Sequence, residues 1–258
     1  MTGSRALVAV ALLAGAAPAA AQTMLDQEQR LIEINTLLLD LPPAQAPGAY
    51  APGQLSLALE LVGIPVIDGT TGGKVQITVS DRTRVYPRPR FALGLPAWED
   101  TRAFVGFSYI PPISINGVST NYFALEAGLA WTPGALAVGL RAHGAVARSE
   151  APVTDPATRD VLDSVTAGGD LSAGWRFDLG PVSLTPYAGL GVVYADGKFT
   201  VTSDGYQLTS SWTGLSIEAG LRLLVVGHWN AVVEFDAYPG RLTRVGVLLG
   251  YQFGLWGP

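Results

Sequence analysis

Along most of its length the chain repeats with a period of two. In LSLALEL, Leu55, Leu57, Leu59 and Leu61 alternate with Ser56, Ala58 and Glu60. KVQITVS sets Val75, Ile77 and Val79 against Lys74, Gln76, Thr78 and Ser80. FALEAGLAW puts Phe123, Leu125, Ala127, Leu129 and Trp131 on one face and Glu126 and Gly128 on the other. LAVGLRAHGAV opposes Leu136, Val138, Leu140, Ala142 and Val146 to Gly139, Arg141 and His143. In DLSAGWRFD, Leu171, Ala173, Trp175 and Phe177 face away from Asp170, Ser172, Gly174 and Arg176. GLSIEAGLRLLV and AVVEFDAY repeat the pattern, with Glu218, Arg222, Glu234 and Asp236 on the polar side. Successive side chains of a strand point to opposite faces, so each segment is a strand with one apolar and one polar face.

A soluble β-sandwich turns its apolar faces inward, whereas a membrane barrel turns them out to lipid and keeps the polar faces in its lumen. The polar faces decide between them. Gly128, Gly139, Gly174, Gly189, Gly191, Gly220, Gly246 and Gly250 sit there beside arginine and glutamate. Glycine facing solvent weakens a strand for no gain, but in a crowded interior it makes room for long charged side chains and eases curvature. The chain has 14 arginines against Lys74 and Lys198, an imbalance unlike a water-facing surface. The polar faces therefore point into an interior.

Composition limits the function. With 48% hydrophobic and 14% charged residues the chain is not disordered, and a net charge of −5 argues against nucleic acid as a partner. Residues 1–21 carry Arg5, an apolar stretch from Ala6 to Ala17 and the small residues Ala19-Ala20-Ala21, the pattern of a secretory signal peptide. The absence of cysteine removes disulfides, thiolate metal sites and a lipoprotein anchor. Beyond the leader no apolar run is long enough, at about 18 residues, for a spanning helix.

The connections alternate in length. Counted back from the carboxyl end they are 239–244, 226–230, the polar hairpin 195–211, 179–181, 147–166 and 132–135. The second, fourth and sixth are the short ones, the order expected when the carboxyl end lies in the periplasm and long loops face outside.

The chain closes on VGVLLGYQF, in which Val245, Val247, Leu249, Tyr251 and Phe253 share one face and only GLWGP follows. This segment resembles the β-signal of Gram-negative outer-membrane proteins, a last strand of alternating apolar residues with an aromatic at its end. The resemblance implies recognition by the barrel-assembly machinery, delivery by periplasmic chaperones and contact with outer-membrane lipid and lipopolysaccharide. With the leader and the alternation, it identifies the chain as similar to outer-membrane β-barrel proteins, porin-like in architecture, located in the cell outer membrane.

The expected fold is an all-β, antiparallel, up-and-down transmembrane barrel over residues 51–253, with a tail at 254–258. Eleven candidate strands are visible, and an even number is required. Twelve is the favoured count, with one strand missed near 62–90, and ten the alternative. Asn116-Gly117 reads as a hairpin turn and Pro111-Pro112 as a bulge or strand edge. Residues 24–41 break the alternation: Asp26 and Gln29 resemble a capping box, and Leu31, Ile34, Leu38 and Leu41 form one helical stripe. This amphipathic helix, followed by a flexible Pro/Ala linker within 22–50, could plug the barrel, meet a periplasmic partner or lie on the membrane.

Face parity places Glu126, Arg141, His143, Asp170, Arg176, Glu218, Arg222, Glu234 and Asp236 in the lumen. Pairing Trp131 with Leu136 sets Glu126 opposite Arg141 and Ala124 opposite His143, and the in-phase register across VGHWN sets Arg222 opposite Glu234. Such pairs offset each other's desolvation and imply a narrow lumen. Two uses are open: charges that stiffen the interior, or a selectivity lining for passive passage of small solutes. A hydrophobic-ligand transporter with an N-terminal plug is the alternative. His143 and His228 are the only histidines, with neither the His-x-Ser of outer-membrane phospholipases nor the Asp-x-His of the proteases, so neither catalytic residues nor metal ligands nor a cofactor are expected. The aromatics Tyr109, Trp131, Trp175, Phe177, Tyr194, Trp212, Trp229, Tyr251 and Phe253 fall near strand ends, as interfacial girdles do.

Overall fold

The computed structural model describes residues 24–67, 86–115 and 117–255. The helix α1 (Met24–Leu38) precedes strands β1 (Gln54–Ile67), β2 (Tyr86–Leu95), β3 (Thr101–Ile115), β4 (Val118–Trp131), β5 (Leu136–Ala151) and β6 (Asp160–Trp175). The short β7 (Phe177–Leu179) continues β6 beyond Arg176, and β8 (Val182–Thr200), β9 (Gln207–Val225), β10 (Trp229–Tyr238) and β11 (Leu242–Gly254) complete the chain. All neighbours are antiparallel, β6 pairs with β8, and β1 pairs with β11 from Gln54–Gly254 to Ile67–Leu242. The wall thus closes on ten strands, with β7 as a short extra piece.

Ten is the alternative count, and the favoured twelve is revised. Leu55 to Val62 of β1 pair directly with Leu93 to Tyr86 of β2, so no further wall strand stands between them. The candidate strand at 74–80 lies outside the described residues, as do the leader and Asn116. The register of β3 against β4 shifts between Ile110 and Ile113, which makes Pro111-Pro112 a bulge, because proline offers no N–H to the ladder. Val226 (φ 53°) and Gly227 (φ 71°) form a tight turn closed by the His228 N–H to the Val225 carbonyl at 3.1 Å. Both central residues lie at positive φ, matching the twist of a hairpin.

The loop lengths differ from expectation because the strands absorb them. The expected connection 147–166 narrows to 152–159, and 195–211 to 201–206, since β5, β6, β8 and β9 run on past the apolar belt. At one end, here the turn end, lie 96–100, 132–135, 180–181, 226–228 and the close of β11; at the loop end lie 152–159, 201–206 and 239–241.

Outward positions form the belt. Leu136 to Val146, Val165 to Trp175 and Leu184 to Tyr194 each span about 11 residues, enough for a tilted strand to cross ~25 Å of hydrocarbon. Leu140, Leu171 and Leu190 at its centre are each about 60% exposed (61%, 57% and 61%). Above it Arg148, Asp163 and Lys198 stand in register across three strands. Trp131, Trp175, Trp229 and Tyr251 edge the belt at the turn end, Tyr109 and Tyr194 at the loop end. Trp212 departs from the expected girdle: it faces inward and meets Tyr238 edge-on at 6.2 Å.

Placing Leu171→Arg at the belt's centre is expected to destabilise the barrel by roughly 2–4 kcal/mol in equilibrium refolding into lipid vesicles. Ser211→Arg, outward but above the belt and opposite Asp196, is expected to cost less than about 1 kcal/mol. Equal effects at the two positions would contradict a lipid-facing belt.

Candidate functional site

The lumen is filled by the chain's own N-terminal segment. Helix α1 lies at the loop end, from which residues 39–50 run down the lumen to enter β1 at the turn end. Ile34 and Leu37 pack on Val193, Ala195, Tyr238 and Leu242. Leu39 and Leu41 pack on Tyr122, Ala124, Ala145 and Ala147, and Ala44 and Ala46 on Tyr187, Val232 and Leu248. Ala49 and Tyr50 complete the descent against Ala92, with Tyr50 and Phe104 rings 5.0 Å apart. At the mouth Glu33 accepts from Ser210 at 2.8 Å and Arg241 at 2.6 Å, and Arg30 donates to the Gly240 carbonyl at 2.8 Å. A side chain at Gly197 would come within 2.5 Å of Ile32 and Thr36, so the bare backbone there is what lets the helix seat.

Two readings of this segment change. Asp26 sits inside the first turn of a helix that begins at Met24, so it does not cap it, and Leu41 lies beyond the helix end. Residues 42–50 are not a free linker: they are buried or half-buried because the wall satisfies their carbonyls. Arg244 donates to the carbonyls of Leu37 and Asp40, both at 3.0 Å, and Arg88 to that of Asp40 at 2.7 Å. Arg141 reaches Leu41 at 3.0 Å and Pro42 at 3.1 Å; Arg90 reaches Pro42 at 2.9 Å and Pro43 at 3.1 Å. Lower down, Arg102 donates to Gly48 at 3.1 Å and Arg222 to Ala49 at 3.3 Å.

The same guanidiniums belong to a run of alternating charge around the wall. Arg88 pairs with Glu60 at 2.9 Å, Glu60 with Arg90 at 3.3 Å, and Arg90 with Glu126 at 2.8 Å. Glu126 then pairs with Arg141, and Arg141 with Asp170, each at 2.9 Å. His143 stands between Asp170 at 3.5 Å and Asp40 at 3.1 Å. Asp40 also accepts from the Tyr238 hydroxyl at 2.8 Å and lies 3.9 Å from Arg244, which pairs with Asp236 at 3.2 Å. Arg244 and Glu60 have no solvent exposure. Buried charges are tolerated in such a run because each is paired and most of the remaining donors and acceptors find partners, Arg88 Nε, Arg244 Nη2 and His143 Nδ1 being the atoms left without a hydrogen bond.

Of the expected lumen residues, Glu126, Arg141, His143, Asp170, Glu218, Arg222, Glu234 and Asp236 all face inward. Arg176 does not: it sits at the break between β6 and β7, exposed, against Asp178 at 3.2 Å. Both expected registers are off by two residues. Glu126 stands opposite His143 and Gly128 opposite Arg141, yet the ion pair forms because a two-residue slip keeps the face and the long arginine reaches diagonally. Arg222 stands opposite Val232 and makes no pair with Glu234; it donates to Asn230 at 2.9 Å and Gln252 at 3.2 Å. Glu234 instead accepts the Tyr187 hydroxyl and the Ala44 N–H, the latter at 2.8 Å. Ala44 is at φ 44°, and that bond helps hold the left-handed turn. Glu218 faces Asp236, and a side chain at Gly189 would collide with its carboxylate.

Arg88, Arg90, Arg244 and Asp40 join the site from outside the expected lumen set, as does Glu60 from the polar face of LSLALEL. Extending the parity of β2 and β11 through Arg88 and Arg244 points to them; nothing local marks Asp40. Val245, Val247, Leu249, Tyr251 and Phe253 all occupy the outward face of β11. Among the described residues no group of three or more His, Asp or Glu could hold a metal ion.

A closed antiparallel wall with an apolar exterior and a charged, occupied interior defines a transmembrane β-barrel of the outer-membrane class. The sequence matches no protein-family model and no curated protein. Among solved structures it is similar to the translocator domain of the autotransporter NalP from Neisseria meningitidis, with 13% identity, a TM-score of 0.48, and 88% of this chain and 95% of that one covered. It is also similar to the attachment invasion locus protein Ail of Yersinia pestis (15% identity, TM-score 0.34, 79% and 100% covered). A third is the N-terminal β-barrel domain of Pseudomonas aeruginosa OprF (13%, 0.27, 77% and 97%).

Arg141→Ala leaves Glu126 and Asp170 short of a cation and is expected to cost roughly 3–5 kcal/mol of unfolding free energy in detergent, against about 0–1 for Arg176→Ala. A second expectation concerns pH. Above the belt, outside the membrane, Asp160 accepts from Thr202 N–H at 3.0 Å, Thr154 N–H at 2.7 Å and the Thr154 hydroxyl at 2.8 Å. These bonds, the one from Thr202 foremost, hold its carboxyl below the usual 3.8. A lowered value means the tie is fully present above that pH and is lost only as pH falls through the lowered value. Amide exchange at Thr154 and Thr202 should therefore stay slow down to pH 3.8 and quicken below it, and be fast at every pH in Asp160→Ala.

Proposed function

We propose that this protein is a non-enzymatic outer-membrane barrel held closed by its own N-terminal segment, a structural wall that passes small solutes only when that segment leaves. The observation that carries this reading is the grip of Arg88, Arg90, Arg141 and Arg244 on the carbonyls of residues 37–43, across the full width of the lumen. The charge-lined passage expected for small solutes is the same surface, taken up by the segment. Polar walls and a filled interior count against transport of hydrophobic ligands.

The strand overhang at the loop end and the short turns beside the carboxyl end support an orientation with loops outside and turns in the periplasm. The outward face of β11, the strand that closes the wall on β1, fits recognition by the assembly machinery; lipid and lipopolysaccharide would meet the belt and the overhang. Export by a cleaved leader at 1–21 completes the reading.

Because the chain has no cysteine, single cysteines report topology directly. Glu28→Cys at the loop end should react with an impermeant maleimide on intact cells, and Gly227→Cys at the turn end only after lysis; the reverse pattern would invert the orientation. Closure is tested in planar bilayers. The natural protein should be silent and Arg141→Ala should show intermittent steps. Thr36 and Ser164 hydroxyls lie 3.3 Å apart, so a Thr36→Cys/Ser164→Cys disulfide should abolish the Arg141→Ala steps until reduced. Steps that persist with the disulfide closed would refute the segment as the gate.

A further inference from the structure

We propose that the lumen wall is a binding site for an extended, proline-containing polypeptide, recognised through backbone carbonyls, and that residues 37–50 are its resident, exchangeable occupant. The proposal rests on the closed-lumen reading for the identity of the occupant, but it is tested by binding and not by conductance. The first observation is a match of hydrogen-bonding type. Arginine donates and never accepts, while proline accepts and has no N–H to leave unpaired. Pro42, Pro43 and Pro47 lie in the segment, and Arg88, Arg90, Arg102, Arg141, Arg222 and Arg244 present donors to its carbonyls from the top of the lumen to the bottom. A donor-lined channel takes an acceptor-rich, donor-poor chain with least desolvation cost.

The second observation is how little polar side-chain chemistry of the segment is used between Leu41 and Tyr50, where the side chains are small and only packed. Both amide atoms of Gln45 are buried with no partner, whereas the Pro42 and Pro43 carbonyls before it and the Gly48 and Ala49 carbonyls after it are held. Residues 42–49 are otherwise proline, alanine and glycine. A cavity of about 30 Å³, lined by Gln45, Ala46 and Pro47 on the segment and by Phe104, Gly139 and Arg141 on the wall, has room for about two waters, so the side chain at 45 is not tightly enclosed. Backbone is read closely and side chains loosely. Asp40 and Tyr50 are the exceptions: the Asp40 carboxylate is held by His143 and Tyr238 and the buried Tyr50 ring packs on Phe104, so the two fix the register of the occupant at either end.

The test keeps the full chain. A protease recognition sequence inserted at Pro52, exposed in the turn before β1, is cut after folding in detergent, so that the N-terminal segment is held without a covalent tie. A fluorescent peptide of residues 37–51 is then exchanged in and followed by polarisation. The segment is expected to stay bound after cleavage and to be displaced by excess peptide. Gln45→Ala and Gln45→Leu peptides should bind within about threefold of the parent, while replacing the Leu41–Pro42 or Pro42–Pro43 amide by an (E)-alkene, which removes the carbonyl acceptor without losing an N–H or adding a charge, should weaken binding at least about tenfold, as loss of a charge-assisted hydrogen bond does. Failure of any peptide to enter a cleaved barrel that still retains its native segment, or side-chain changes at Gln45 that outweigh carbonyl removal, would overturn the proposal; retention of the native segment shows that the wall is folded, and the comparison between peptides varies the peptide alone.

Discussion

The structure depends on how its buried guanidiniums are satisfied. Five arginines, Arg88, Arg90, Arg141, Arg222 and Arg244, stand in the lumen almost fully removed from water. Each carries a full charge and five donors, more than any one carboxylate can accept. The wall supplies Glu60, Glu126, Asp170 and Asp236, and the N-terminal segment supplies carbonyls and the Asp40 carboxylate. Neither set suffices alone. An empty wall would need water to replace the carbonyls, and the segment would have buried acceptors without donors. Wall and segment form one electrostatic unit.

That dependence separates what was legible in the sequence from what was not. The alternation was legible because lipid and lumen demand opposite chemistry from successive residues, so parity survives even where register fails. Glu126 and Arg141 meet although their strands are offset by two positions from the expected pairing. Arg222 and Glu234 do not, because Asn230, Gln252, Tyr187 and Ala44 offer nearer partners, three of them on other strands or on the segment. Register among polar partners is decided by such remote competition, which a single strand does not record.

The failures cluster where burial is conferred from afar. Residues 42–50 have the composition of a linker, and what makes them interior is remote: the arginines of β2, β3, β5 and β9, the Glu234 carboxylate and the apolar side chains they pack on. Arg88 and Arg244 fall at strand beginnings where the outward partners are Pro87 and Thr243 and the apolar rhythm is weak. Arg176 shows the converse error: the alternation of β6 runs on through it, but the ladder breaks there and its side chain goes to solvent. The long connections are shorter than their composition suggests because strands that rise past the bilayer become polar on both faces, so charged composition there marks the end of the membrane and not the end of the strand.

The placement of the arginines also orders events in time. The Asp40 carbonyl is gripped at once by Arg88 of the second strand and Arg244 of the last, and those strands flank β1 on either side. That grip can exist only after the final hairpin has zipped onto the first strand. The two-sided hold on this carbonyl is therefore complete only once the seam between the first and last strands is shut, which ties the seating of the lumen segment to the closing of the wall.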